Sequence, residues 1–384
     1  ELADLVVLVG SNLAWCHPVL YQRLAAAKAD RPEMQVVLID PRRTMTAEIA
    51  DLHLPIAPDG DVALFLGLLH HLSAAGALDP AYIADHTEGF EEALGLTADL
   101  SVADAARRAG LSTDLVHRFY ALFAATEKTV TVFSQGVNQS SSGTDKVNAI
   151  LNCHLATGRI GRPGMGPFSV TGQPNAMGGR EVADGRIKAI WIVATNPVDS
   201  LPDADGVAAA LAACPFVVVS DVMAATDTTA LAHVKLPAAA WGEKDGTVTN
   251  SERRISRQRP FLPLPGAARP DWWAVAEVAK RMGFAEGFDY AGPDEIFAEH
   301  AALSAHDNGG QRDFDIGAYA KLDRRGFDAM APFQWPARAG EGAGTTRFFA
   351  AGGFFRPGGR GRFVPVAIPD SPPINADFPL TLNS

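Results

Sequence analysis

Leu5-Val6-Val7-Leu8-Val9 is an unbroken apolar run of strand length that stops at Gly10, and Val36-Val37-Leu38-Ile39 is a second that stops at Asp40-Pro41. A strand without polar alternation must be covered on both faces, which is the condition of a parallel sheet flanked by helices. A helical pattern over 18–29 lies between the two runs, so this stretch reads as one βαβ unit. Leu54-Pro55-Ile56-Ala57 and the run 129–133 supply further buried strands, with helical patterns over 61–72 and 113–125. The expectation is a doubly wound α/β domain over residues 1–181.

A second α/β domain is expected over 182–262, with strands at 187–194, 216–220 and 234–236. Residues 263–345 read as a helical and irregular segment with one clear helix at 271–281 that carries Trp272 and Trp273. Residues 346–384 read as the start of a further domain. Glu1 leads at once into a buried strand, and Phe378-Pro379-Leu380-Thr381-Leu382-Asn383 begins a new apolar run, so the sequence reads as an interior piece of a longer polypeptide.

Charge and composition then exclude several functions. With 47% hydrophobic residues, 36 glycines and 26 prolines among 384, the chain can bury a sizeable core. A formal net charge of −11 repels nucleic acid and anionic lipid alike. There is no apolar run of about eighteen residues, so a cytoplasmic protein with neither nucleic acid nor membrane as a partner is expected. Cys16, Cys153 and Cys214 are too few and too widely spaced for a disulfide framework, a zinc site or an iron–sulfur cluster held by this chain alone.

In open parallel sheets, ligands lie beyond the carboxyl ends of the strands, so the loops there are the candidates. Gly10-Ser11-Asn12 offers a small residue, a hydroxyl and an amide where a phosphate or pterin can approach the backbone. Asp40-Pro41-Arg42-Arg43-Thr44 places an acid for ribose hydroxyls beside cations for phosphate. Pro58-Asp59-Gly60-Asp61 follows the third strand, and Ser134 to Gly143, with Gly136 and Asn138, follows the fourth. Each loop alone suits an ordinary turn or a helix cap; several after successive strands argue together for one extended ligand. In the second domain the corresponding loops are Thr195-Asn196-Pro197 and Ser220-Asp221.

Two glycine-rich segments follow, Gly158-Arg159-Ile160-Gly161-Arg162-Pro163-Gly164-Met165-Gly166 and Gly172-Gln173-Pro174-Asn175-Ala176-Met177-Gly178-Gly179-Arg180-Glu181. Glycine at this density, outside low complexity, suits backbone lining a crowded site, and Arg180 can bind a small oxyanion. Trp241 to Arg254 reads as a solvated hairpin, Cys16 as packing, and His154 as a structural histidine.

Taken with Ala14-Trp15-Cys16-His17-Pro18 and the stretch 241–257, these motifs resemble the molybdopterin oxidoreductases of the dimethyl-sulfoxide-reductase family. Within it they are most similar to the catalytic subunits of bacterial assimilatory nitrate reductases. The resemblance implies two α/β domains clasping one extended cofactor, a molybdenum-bis(molybdopterin guanine dinucleotide), with a [4Fe-4S] cluster bound upstream of residue 1. It implies that Gly10, Ser11, Asn12, Asp40, Arg42, Gly60 and Asp61 serve one dinucleotide. Thr195, Asn196, Pro197, Ser220 and Asp221 would serve the other. Gln173 and Arg180 would stand near the metal as catalytic residues, with no metal ligand in this chain. Nitrate is the implied substrate, and ferredoxin, flavodoxin or an NADH-dependent reductase the implied electron donor. Formate oxidation on the same scaffold and a non-catalytic relative without molybdenum are the alternatives.

Overall fold

The computed structural model describes residues 1–140, 142–170, 187–201, 203–250, 252–341 and 347–369. The chain divides into two units, one formed by Glu1–Gly172 with Arg347–Ser384 and the other by Gln173–Thr346.

The first unit is built on five parallel strands, β1 (Leu5–Val9), β2 (Gln35–Ile39), β3 (Leu52–Leu54), β4 (Thr129–Phe133) and β5 (Gly166–Ser169). Their order across the sheet is β3-β2-β1-β4-β5. Val7 stands between Val37 on one side and Thr131 on the other. The order reverses at β1, which makes the carboxyl ends of β1 and β4 the switch point at which such sheets bind ligands. The apolar runs of β1 and β2 are buried almost throughout, as covered strands must be. The third strand ends before Pro55, not after it, because proline has no N–H to offer the ladder.

The helices α1 (Pro18–Asp30), α2 (Asp61–Ala74), α3 (Thr113–Ala125) and α4 (Gly143–Ala156) cover this sheet. In α2, Phe65, Leu68, Leu69 and Leu72 are fully buried, each contributing roughly 1.5–3 kcal/mol by its transfer from water. Gly67 lets neighbours close in: a Cβ there would lie 2.5 Å from the Tyr120 hydroxyl, which donates to the Leu64 carbonyl. Ser112 caps α3 by accepting the Leu115 N–H at 3.3 Å. Residues 347–369 return to this unit. Gly361 and Arg362 pair in parallel with Thr87 and Glu88, Asn152 brackets the Val364 backbone with two hydrogen bonds, and Phe363 enters the core.

The second unit has a three-stranded parallel sheet of β6 (Ala189–Val193), β7 (Phe216–Asp221) and β8 (Val234–Pro237), with β7 central. Its core gathers Ile192, Leu211, Cys214, Val217 and Val219. The segment read as a solvated hairpin forms the antiparallel pair β9 (Gly246–Thr249) and β10 (Arg254–Gln258), half-buried along much of its length. Around it, Arg257 lies over the Phe327 ring and pairs with Asp245 at 2.8 Å and Asp328 at 3.1 Å.

Candidate functional site

At the switch point of the first unit lies a cavity of about 410 Å³. Four strand ends build its wall: Gly10 and Asn12 after β1, Asp40 and Arg42 after β2, Asp59 and Asp61 after β3, and Gln135, Gly136 and Ser140 after β4. Gly10 has φ +52, and the Gly136 N–H donates to its carbonyl at 3.0 Å. The two loops approach so closely that no side chain fits between them.

Asp40 is 5% exposed, and its carboxylate accepts the Arg42 N–H at 2.8 Å. Burial raises its carboxyl above the usual carboxylate range, although the Arg42 N–H and charge and nearby His53 pull the other way. Asn12 accepts a hydrogen bond from the Thr46 hydroxyl at 3.0 Å, which fixes its amide at the wall. Ser11 is almost wholly buried, and its Oγ has no hydrogen-bond partner among the described residues.

Sequence reasoning missed Lys146. It lies in the first turn of α4 and reaches Asp59 at 3.0 Å and Asp61 at 3.1 Å. Burial alone would lower its ammonium, but the Asp61 charge and the hydrogen bonds to both carboxylates outweigh that and hold it above the ordinary lysine value. The available signal was a cation in a helix first turn, where the macrodipole disfavours positive charge. Cys16 was read as packing; it is exposed and lines the cavity.

A second cavity, of about 350 Å³, lies at the carboxyl ends of the second unit's sheet and is lined by Thr195, Asn196, Asp221, Met223, Thr226 and Lys244, among others. Asn196 Oδ1 accepts the Thr228 hydroxyl at 2.5 Å and the Thr228 N–H at 3.3 Å. Asp221 accepts the Met223 N–H at 2.8 Å. Lys244 pairs with Asp271 at 2.7 Å. Both cavities carry a non-glycine residue with left-handed backbone, Asp59 at φ +64 and Ala194 at φ +55, a cost of about 1–3 kcal/mol that tends to collect at functional sites.

Five candidates, Ser11 among them, stand outside the cavity linings. Gly60 is buried against Ala109, where a Cβ would lie 2.8 Å from the Ala109 Cα. Asn138 donates to the Ser169 hydroxyl at 3.2 Å. Ser220 accepts the Trp191 indole N–H at 2.8 Å. Pro197 begins the short helix Pro197–Ser200. Gln173 and Arg180 lie outside the described residues. His154 is fully buried against Thr131 at 2.7 Å, and burial lowers its imidazole to about 3, which suits structure. No three His, Cys, Asp or Glu side chains converge as a metal site among the described residues.

A family model described as molybdopterin oxidoreductase matches residues 1–281. The chain belongs to the molybdopterin oxidoreductase family. The chain is 48% identical to a nitrate reductase of Klebsiella oxytoca over 100% of its own length and 48% of that protein. It is 46% identical to a nitrate reductase of Shewanella frigidimarina over 97% of its length and 45% of the relative. Thus the chain spans about half the length of these curated relatives. Its fold matches that of acetylene hydratase from Pelobacter acetylenicus with a TM-score of 0.72, at 16% identity, over 94% of this chain and 55% of that one.

The residues present fit a phosphate-bearing cofactor of the molybdopterin kind. Gly10 and Gly136 put backbone without side chains on the cavity wall, and the buried hydroxyl of Ser11, next in sequence to Gly10, has no partner among the described residues. Asp40 and Arg42 supply an acceptor and a cation at one strand end.

Proposed function

We propose that this chain is the cofactor-holding part of the catalytic subunit of an assimilatory nitrate reductase. Its match along the whole chain to a nitrate reductase at 48% identity is the observation that carries the reading. The reaction is the two-electron reduction of nitrate to nitrite: two electrons and two protons enter, and one nitrate oxygen leaves as water. When bound, the molybdenum-bis(molybdopterin guanine dinucleotide) supplies the metal for that oxygen-atom transfer.

The chain's own residues hold and orient the group. In the first cavity, Asp40 takes ribose hydroxyls, Arg42 takes phosphate charge, and the Gly10–Ser11 backbone admits the ligand closely. Thr195, Asn196 and Asp221 serve a second dinucleotide in the same way. One cavity at the strand ends of each unit supports a cofactor with two such arms. Gln173 and Arg180 orient nitrate, with the arginine cation balancing charge that develops on it. Electrons arrive from ferredoxin, flavodoxin or an NADH-dependent reductase through a [4Fe-4S] cluster held by another part of the protein, in the cytoplasm.

The full-length protein, purified and assayed for molybdenum and for GMP released on denaturation, tests the cofactor. Neither being present, from cells that supply both, would leave the non-catalytic reading. A reduced-viologen assay with nitrate, formate and sulfoxides tests the substrate: turnover of nitrate is expected, and turnover of formate alone refutes the assignment.

A further inference from the structure

Among the described residues, the sheet of the second unit builds a core on one side only. Its two crossovers step the same way, β6 to β7 and β7 to β8, and right-handed crossovers that step the same way lay their helices on the same face. The packing agrees: Val207 and Leu211 of the helix Ala204–Ala213, with Leu231 and Ala232, close on Ile192, Val217 and Val219. The residues between these on the strands point the other way. In register, Val218 stands between Trp191 and Val234, and Ser220 between Val193 and Leu236. On that opposite face Phe216, Val193 and Val234 are 45%, 39% and 38% exposed.

A parallel sheet that is apolar on both faces needs cover on both. The cover that fits is a helix with one apolar stripe. A five-residue strand runs about 17 Å, which a helix of about eleven residues spans. The alignments point to a source. That with the Klebsiella oxytoca nitrate reductase takes 430 residues for the 384 of this chain, 46 more. That with an assimilatory nitrate reductase of Haloferax mediterranei takes 433 over the same 384. These relatives carry residues with no counterpart here, enough for such a helix and the links to it.

We infer that the bare face of the β6-β7-β8 sheet is a docking surface for an amphipathic helix, and that its occupant is the stretch these relatives carry and these 384 residues lack. The full-length protein is purified as it stands and with the Klebsiella oxytoca residues inserted where the alignment opens, each with and without Phe216→Asp. The insertion is expected to raise the unfolding midpoint by about 5 °C or more and to lower the emission of the dye ANS, which reports open apolar surface, by about twofold or more. Phe216→Asp is expected to move the midpoint by less than about 2 °C in the protein as it stands, where the ring meets solvent, and to cancel most of the gain in the inserted form. An insertion that leaves both readings unchanged, or a gain that survives Phe216→Asp, overturns the inference. Should the inserted protein not fold, the same residues are added as a separate peptide, and an ANS emission that does not fall overturns it. Light scattering tests the rival occupant: a dimer of the protein as it stands that Phe216→Asp splits assigns the face to a second copy and overturns the inference.

Discussion

Gly10 and Gly136 stand back to back. A Cβ added at Gly10 would lie 2.8 Å from the Gly136 Cα, and one added at Gly136 would lie 2.7 Å from the Gly10 Cα. The loops leaving two neighbouring strands are joined at a point that tolerates only hydrogen. Gly10→Ala also places a side chain at φ +52, so it is expected to destabilise the protein by about 2–3 kcal/mol and to deplete its GMP. Gly136→Ala, free of the dihedral cost, should do less damage. Denaturant unfolding of both variants measures the order, and equal losses would contradict it.

Asp40→Asn keeps an oxygen for the Arg42 N–H but removes the charge that would hold ribose hydroxyls. Losing a charge-assisted hydrogen bond is worth about 1.5–3 kcal/mol, or about tenfold or more in affinity. The unfolding midpoint should stay near wild type while GMP per polypeptide falls. An unchanged GMP content would remove Asp40 from the site.

His154 makes the fold sensitive to acid. Burial depresses its imidazole from 6.5 to about 3, so below pH 6.5 the unfolded chain binds a proton that the folded protein refuses. Stability therefore falls as the pH drops from about 6.5 toward about 3, at up to ~1.4 kcal/mol per pH unit from this group. Calorimetry between pH 7 and 4.5 should give a shallower decline for His154→Gln than for wild type. Parallel curves would refute the assignment.

Ala194 pays for its left-handed backbone at the second cavity. Ala194→Gly should raise stability by about 1 kcal/mol, read as a higher unfolding midpoint. A lower midpoint would show that the Cβ is packed.

Arg180→Ala is expected to impair nitrate turnover and leave molybdenum and GMP at wild-type levels. Loss of the cofactor would make Arg180 a holding residue.

The parallel sheet was legible because β1 and β2 are apolar without alternation, a pattern that only double-sided burial explains. The third strand was displaced in the reading because Leu54-Pro55-Ile56 looks continuous by hydropathy, and only the missing proline N–H ends it. Short helices such as Pro80–His86 and Val102–Arg108 fall below the span in which a helical period is visible, although Asp79 and Ser101 mark their starts as caps. The loops at the strand ends were legible from the βαβ pattern alone. Which side chain in a loop faces the cavity was not: Ser220 precedes Asp221 but turns to Trp191. The role of Lys146 was missed because its carboxylates come from a distant part of the sequence, joined to it only when α2 and α4 pack.

The closing segment of the first unit has a consequence for synthesis. Phe363 and Val366 belong to the same core as Leu5 and Phe65, yet the whole of the second unit is translated before they appear. Emerging from the ribosome, the amino-terminal part of the unit lacks the pieces of its core that Phe363 and Val366 supply, and the Asn152 amide waits for the Val364 backbone. The nascent first unit should thus stay open, and a client for chaperones, until its last stretch leaves the exit tunnel.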